Sequence, residues 1–577
     1  MAVEIRTRNA WDIVVNGLAS EGVKYVFGLP GDPRHLYDAL AQSDIPNTPK
    51  AIGVRYETSG AFMAMAYARA TGNLAACFGC PGPGVANLVP GILEAYSGCT
   101  PMLVLGVRAS RQTDGMGAFQ ETDHIGMLTP ITKWATTIEA SEKIAWTIRR
   151  AVHIARTGKP GPVYVELPSD IAYAEVDEVE YQPAPIVAPP APNPDAIRAA
   201  AELIEAARTP VIVVGGGAYL SGAGNAISDL ASSYGIAIQT TPAGRSTVPE
   251  THPLFVGLTG LYRTTVPREI FEESDLIITA GSRMEEFQGG FLPRPANPKI
   301  IQIEIDPFEI GRNWLPDVAI ESDCRLAIEA LGAELARRGH QAPATRSTAI
   351  QSRRQKAIAD AVADALAPVE RGDMPLSGKS VVHMINEVFT DKTILVKENG
   401  GQDLWAYYWP YYQVREANCC VAPAEQTAMG YGIIGAMAVK LGRPDHYVVS
   451  TSGDGAFQMS IHELGTAAQI KTPVTWVVLD DGAFGWVQWI QRRNPGSHIV
   501  ATEFEPHVDL VAIARACGCS AECLSDSRNL RAALERAKAA NDAGTPHVLV
   551  VPIDQAHHHV EFDRFHDFEP APGSATA

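Results

Sequence analysis

Short, continuous runs of aliphatic and β-branched residues recur along the whole chain, and helical patterns separate them. They include Tyr25-Val26-Phe27, Met102 through Leu105, Val163 through Leu167, Val211 through Val214, Leu276 through Thr279 and Ile300 through Ile303. Ile394-Leu395-Val396, Tyr447-Val448-Val449, Val474 through Leu479 and Val548 through Val551 continue the series. A strand apolar at every position must be covered on both faces, and alternation with helices makes the covered sheet parallel. Several runs end in glycine-rich turns: Gly28-Leu29-Pro30-Gly31, Gly215-Gly216-Gly217 and Gly453-Asp454-Gly455. Parallel sheets bind ligands at the carboxyl ends of their strands, where these turns fall. The pattern predicts an α/β chain of doubly wound parallel-sheet domains.

The domains number three. The 577 residues exceed one compact core, since domains run to ~150 residues. Tyr181 to Pro194 carries six prolines, and a polar stretch from Gly339 to Gly378 holds a charged helical piece around Arg353 to Asp364. These seams predict domains at 1–182, 190–340 and 375–577. Hydrophobic residues make up 46% and charged residues 19%, enough apolar content for large cores. A net charge of -18 argues against nucleic acid or an anionic membrane as the partner. The N-terminal residues show no basic-then-apolar leader, and no apolar run approaches the ~20 residues of a membrane span. A cytoplasmic protein is expected. The nine cysteines, including Cys77 and Cys80 spaced CxxC, read as reduced thiols and not as a disulfide framework or zinc site.

The strongest chemical signal is Ser452-Gly453-Asp454-Gly455-Ala456-Phe457, directly after a strand. Two glycines let backbone approach a phosphate, and the aspartate between them offers a hard oxygen to a divalent cation. The same residues also make an ordinary tight turn. After the next strand comes Asp480-Asp481-Gly482-Ala483-Phe484-Gly485. Near the N-terminus, Arg55 through Gly72 predicts an amphipathic helix that opens with Glu57 and stops at a glycine.

These segments resemble the thiamine-diphosphate-dependent enzymes. The Gly-Asp-Gly motif and the segment 27 residues beyond match that family's diphosphate motif, although the family usually carries an Asn pair at Asp480-Asp481. The resemblance implies that Asp454, Asp481 and the Ala483 carbonyl hold Mg²⁺, with Gly453, Gly455, Ala456 and Phe484 around the diphosphate. It implies that Glu57 protonates the aminopyrimidine ring and thereby activates the thiazolium carbon. Gly82-Pro83-Gly84 with Asn87-Leu88 is similar to the family's "GPG..NL" turn. Gly401, Gln402 and Trp405 resemble its diphosphate-holding turn. In Thr427-Ala428-Met429-Gly430 the Thr427 carbonyl would take the 4′-amino group, and Met429 would wedge under the cofactor rings.

Phe119-Gln120-Glu121 and Pro130 through Lys133 look most like acetolactate synthase, which puts Gln120 and Phe119 toward the substrate. In such enzymes the central domain holds FAD, ADP or a coenzyme A nucleotide, or nothing; here its glycine run lacks the third glycine of a full dinucleotide fingerprint. Asp32 stands where acetolactate synthase has glycine and related decarboxylases have aspartate. It fits proton transfer in the site, and equally a helix N-cap before Pro33. Gln402-Asp403-Leu404-Trp405, Trp486 and Trp489 also depart from the synthase pattern. His124 reads as an ordinary histidine, and His557-His558-His559 as a polar tail or a lid over the site. The implied activity is a thiamine-diphosphate- and Mg²⁺-dependent carbon–carbon lyase or carboligase acting on a 2-oxo acid and a carbonyl acceptor. Alternatives are a 2-oxo-acid decarboxylase, a 2-hydroxyacyl-CoA lyase or a non-catalytic nucleotide-binding relative. The family's site lies between subunits, which implies at least a homodimer and commonly a homotetramer.

Overall fold

The computed structural model describes residues 7–32, 34–41, 45–177, 179–290, 295–493, 496–555 and 558–567. Pro33 and His557 lie outside them. Three six-stranded sheets carry the fold, and every strand pairing within them is parallel. The first is built from Tyr25–Gly28, Lys50–Gly53, Ala75–Gly79, Met102–Arg108, Trp134–Thr137 and Pro162–Pro168. The second comprises Pro210–Val214, Ala237–Thr240, Phe255–Leu258, Leu276–Ala280, Lys299–Glu304 and Val318–Glu321. The third comprises Thr393–Lys397, Cys420–Val421, Tyr447–Gly453, Thr475–Asp480, Ser520–Cys523 and His547–Pro552. All the apolar runs singled out in the sequence fall in these strands, save that Val474 precedes its strand by one residue.

Numbered in chain order within each sheet, the first and third share the order 2-1-3-4-6-5, whereas the second is 3-2-1-4-5-6. Winding therefore reverses between strands 1 and 3 in the outer domains and between strands 1 and 4 in the central one. Open parallel sheets bind ligands at such reversals. A two-stranded antiparallel ribbon, Thr7–Asn9 with Glu175–Asp177, ties the start of the first domain to its end.

The helix Glu57–Thr71 corrects one expectation. It is not amphipathic: every residue from Ser59 to Ala70 is buried. One side lies on the first sheet and another packs against helix Tyr431–Gly442 of the third domain. A helix buried on all sides has no polar face to display, hence its run of Ala, Met and Phe. It ends as expected at Gly72, whose φ of 73° lies in the left-handed region that glycine adopts without strain.

The domains are also clamped by charge. Arg245, fully buried, makes a bidentate pair with Glu250 at 2.7 and 3.1 Å and donates to the Ala406 and Tyr412 carbonyls of the third domain. Those carbonyls belong to an aromatic segment, Trp405 to Tyr412, whose rings are almost wholly buried. The polar seam after Gly339 forms the 28-residue helix Ala344–Arg371. No described helix is long and apolar enough to cross a membrane. All nine cysteines are free; Cys77 is buried, its thiol pushed up by burial, while Cys523 is exposed.

Candidate active site

Two half-sites sit at the strand ends of the outer domains. In the first, Glu57 opens its helix and is 6% exposed. Asn87 Nδ2 donates to Glu57 Oε2 at 3.0 Å. The turn Gly82-Pro83-Gly84 runs alongside: a Cβ on Gly84 would stand 3.3 Å from Glu57 Oε1 and 2.9 Å from the Cys80 Cβ. Gly82 has φ +64°, and a Cβ there would meet the Gln120 carbonyl at 2.9 Å. Only glycines let the turn pass this close to both neighbours.

Gln120, itself at φ +58°, is thus brought to the Glu57 side, whereas Phe119 projects outward and is 88% exposed. Asp32 is exposed on the same strand end. Burial raises the Cys80 thiol pKa, and the nearby Glu57 and Asp32 carboxylates add to the rise against an opposing backbone hydrogen bond near Asp32. With Pro33 undescribed, the helix Arg34–Ala41 gives no view of an Asp32 cap.

His124 is buried between two polar partners. It is 1% exposed, its Nε2 lies 2.9 Å from the Gly82 amide and its Nδ1 lies 2.9 Å from Glu166 Oε2.

The second half-site gathers three aspartates. Asp454 begins the helix after Gly453, and Asp480-Asp481 follow the neighbouring strand. Asp454 is 2% exposed, and its Oδ1 has no hydrogen-bond partner among the described residues. Burial raises the proton affinity of Asp454 and of Asp481, and repulsion within the cluster adds to it. Asp481 Oδ2 takes a long 3.5 Å bond from Gln555, and His507 lies 3.1 Å from Asp480. Gly482, at φ +68°, turns the chain so that Ala483 is buried beside the cluster. An orphaned buried carboxylate oxygen, a second carboxylate and an adjacent backbone carbonyl form a hard-oxygen donor set that suits Mg²⁺. Gly455 packs under Phe484, whose ring meets Phe504 edge-on at 4.8 Å. Ala456 is buried in the same helix.

On the adjacent strand end, Gly401 backs onto Trp486, and Gln402 has a buried Oε1 without a partner among the described residues. The Thr427 carbonyl accepts from Asn399 Nδ2 at 3.3 Å, with Thr427 at φ +49°. Met429 is 37% exposed. Glu57 and the three aspartates share no hydrogen bond or ion pair among the described residues; each half-site ends at the surface.

Two buried acids that the motif reading missed hold the Thr427–Met429 loop. Glu398 accepts from the amides of Asn399, Gly430 and Gly432 at 3.0, 3.1 and 2.8 Å. Burial pushes its carboxyl up to about 8, and the three N–H donors act in the opposite direction. Glu94, from the first domain, accepts from the amides of Ala424 and Ala428, and burial pushes it up to about 7. The signal for Glu94 was one charged residue in the apolar helix Val89–Ser97.

Within residues 558–567, which the structure describes, the segment packs against the third domain in place of forming a loose polar tail. His559 is enclosed by Trp405, Tyr408 and Tyr411, with ring centroids at 6.0, 4.9 and 6.3 Å, and desolvation pushes it down to about 4. His558 stacks on Phe562, which meets Trp486 and Trp489. A cavity of about 670 Å³ opens at the central sheet's reversal. Gly216, Gly281, Arg283 and Glu304 line it on one side, and Asn399 and Thr427 on the other.

Residues 8–127, 197–331 and 400–551 match, in turn, the N-terminal TPP binding domain, the central domain and the C-terminal TPP binding domain of thiamine pyrophosphate enzymes. The chain is 30% identical over 565 residues to the "Probable acetolactate synthase large subunit" of Methanococcus aeolicus, covering 95% of this chain and 92% of that one. It is 31% identical over 537 residues to the acetolactate synthase large subunit of Parasynechococcus marenigrum, covering 90% and 85%. It is 29% identical over 532 residues to the acetolactate synthase isozyme 1 large subunit of Escherichia coli, covering 91% of each. Two half-sites on equally wound outer domains, together with matches along almost the whole chain, make this protein a member of the thiamine pyrophosphate enzyme family of acetolactate synthase-like type.

Proposed function

We propose that the protein is a carboligase that joins the acyl fragment of a 2-oxo acid to a carbonyl acceptor, using thiamine diphosphate and Mg²⁺. The observation that carries this reading is the pairing of a buried Glu57 in one half-site with an orphaned Asp454 oxygen in the other. Thiamine diphosphate, when bound, supplies the carbon nucleophile and electron sink for chemistry beside a carbonyl. Glu57 holds and exchanges a proton at the aminopyrimidine, its other oxygen fixed by Asn87. Asp454, Asp481 and the Ala483 carbonyl hold the metal, and Gly401, Gln402, Gly453, Gly455, Ala456 and Phe484 shape the diphosphate end. The Thr427 carbonyl and Met429 face the cofactor rings. Gln120 and Phe119 orient the substrate, and Asp32 delivers or takes its proton.

Each half-site meets its complement on a second copy of the chain. This is supported by the exposed apolar side chains around them: Met116 at 77%, Phe119 at 88% and Tyr56 at 44%. A homodimer is then the smallest working unit. The central cavity suits a nucleotide-bearing group, FAD or ADP, because it lies at a sheet reversal floored by glycines. The absorbance spectrum of the purified protein separates the two.

Asp32, exposed at the strand end next to the Glu57 half-site, favours a second outcome, protonation of the acyl fragment and aldehyde release by a decarboxylase. Incubation with pyruvate, thiamine diphosphate and Mg²⁺ tests both. Acetolactate supports carboligation, acetaldehyde alone supports decarboxylation, and turnover of neither with pyruvate or other 2-oxo acids overturns the proposal.

A further inference from the structure

A buried chain of polar contacts reaches the Glu57 half-site from behind, and none of its members is needed to hold a cofactor or metal. It begins at Glu166 in the strand Pro162–Pro168, which is 2% exposed. Tyr164 donates to Glu166 Oε2 at 2.9 Å, Thr137 donates to Oε1 at 2.8 Å, and Arg108 lies 3.8 Å from Oε1. The same Oε2 faces His124 Nδ1 at 2.9 Å. On the far side of the ring the Gly82 amide points at Nε2 from 2.9 Å. An amide N–H can only donate, so Nε2 is the acceptor. Nδ1 then carries the proton and donates it to Glu166. Partners on both sides therefore define the tautomer.

An apolar side chain at position 124 would avoid the desolvation of a buried imidazole. What the pair secures is the Gly82 amide. That amide belongs to the turn whose Gly84 lies against Glu57 Oε1 and whose Gly82 touches the Gln120 carbonyl. Asn87, which donates to Glu57, closes the same short helix, Pro83–Asn87.

We propose that His124, oriented by Glu166, is a positioning residue that sets the Gly82–Gly84 turn against Glu57 and so fixes how Glu57 meets the aminopyrimidine. This rests on the reading of Glu57 as the activating acid. The diphosphate half-site lies on another domain, so loss of His124 should slow activation while leaving cofactor affinity nearly intact.

The test compares His124→Leu, His124→Gln and Glu57→Gln in the full-length protein loaded with thiamine diphosphate and Mg²⁺. Hydrogen–deuterium exchange at the thiazolium carbon and calorimetric affinity are the readouts. His124→Leu should slow exchange about tenfold or more, as small misplacements do, with affinity changed less than about threefold. His124→Gln can accept from Gly82 and donate to Glu166, so it should restore exchange to within about threefold of the original. Exchange at the original rate in His124→Leu, while Glu57→Gln is slow, overturns this inference alone. Unchanged exchange in Glu57→Gln overturns the reading beneath it. A glutamine variant as slow as the leucine variant also overturns the inference. Should His124→Leu fail to fold, the ¹⁵N signals of His124 in the unaltered protein decide: a proton on Nδ1 supports the account, and a proton on Nε2 overturns it.

Discussion

Glu94 of the first domain accepts the Ala428 amide of the third domain at 3.1 Å, and the Ala424 amide as well. One carboxylate thus pins the loop that carries Thr427 and Met429 from across the domain boundary. Replacing Glu94 by Ala strands two buried N–H donors, at a cost of about 3 kcal/mol in all. Thermal unfolding should show that loss, and calorimetry should show weaker thiamine diphosphate binding. Glu94→Gln retains one acceptor and should lose less than half as much.

Asp454 and Asp481 differ in what they contribute. Asp454 is the buried acid with an orphaned oxygen, so Asp454→Ala should weaken Mg²⁺-dependent cofactor binding by at least about 100-fold. Asp481→Asn removes one charge from a crowded cluster and keeps a hard oxygen. Calorimetric titration should find its affinity unchanged or tighter.

The crowding has a pH signature. The carboxyls of Asp454 and Asp481 are raised above their ordinary values, chiefly by burial. Groups raised in the folded state favour folding while protonated, and that contribution is lost as pH rises. Metal-free protein should therefore lose stability through these two groups as pH climbs above the ordinary carboxylate range. A cation held by this pair would need both groups ionised, so stabilisation by added Mg²⁺ should be larger at pH 8 than at pH 6 in thermal melts.

The strands and the neighbouring positions of Asp454 and Asp481 were legible because their signals are local. Apolar runs mark buried parallel strands, and Asp454 and Asp481 lie just beyond the ends of two strands that pair directly, Tyr447–Gly453 and Thr475–Asp480. Glu57 was legible through its flanking pattern. Long-range partners were not. The Glu94–Ala428 contact joins residues 334 positions apart, and the Arg245–Tyr412 contact joins residues 167 apart. Nothing in local periodicity encodes such partners. The all-round burial of the Glu57 helix was hidden for the same reason, since it depends on Tyr431–Gly442 arriving from another domain. His124 reads as unremarkable until the fold sets Glu166 and Gly82 on either side of it.

His559 supplies a prediction at the chain's end. Its imidazole, held neutral among Trp405, Tyr408 and Tyr411, is pushed down to about 4. The unfolded segment takes its proton near ~6.5, so stability from this site is lost as pH falls through that interval. Acidification from pH 7 to 5 should release the helix Val560–Asp567 from Trp486 and Trp489. Tryptophan emission should shift to the red before the global transition. His559→Phe should abolish the shift.

The central claim is that Glu57 activates bound thiamine diphosphate. The direct measurement is deuterium exchange at the thiazolium carbon in the Glu57→Gln protein under saturating cofactor and Mg²⁺. The account predicts a rate lower by about 10²- to 10⁴-fold, the span of general acid–base catalysis. Exchange at the unaltered protein's rate would contradict it.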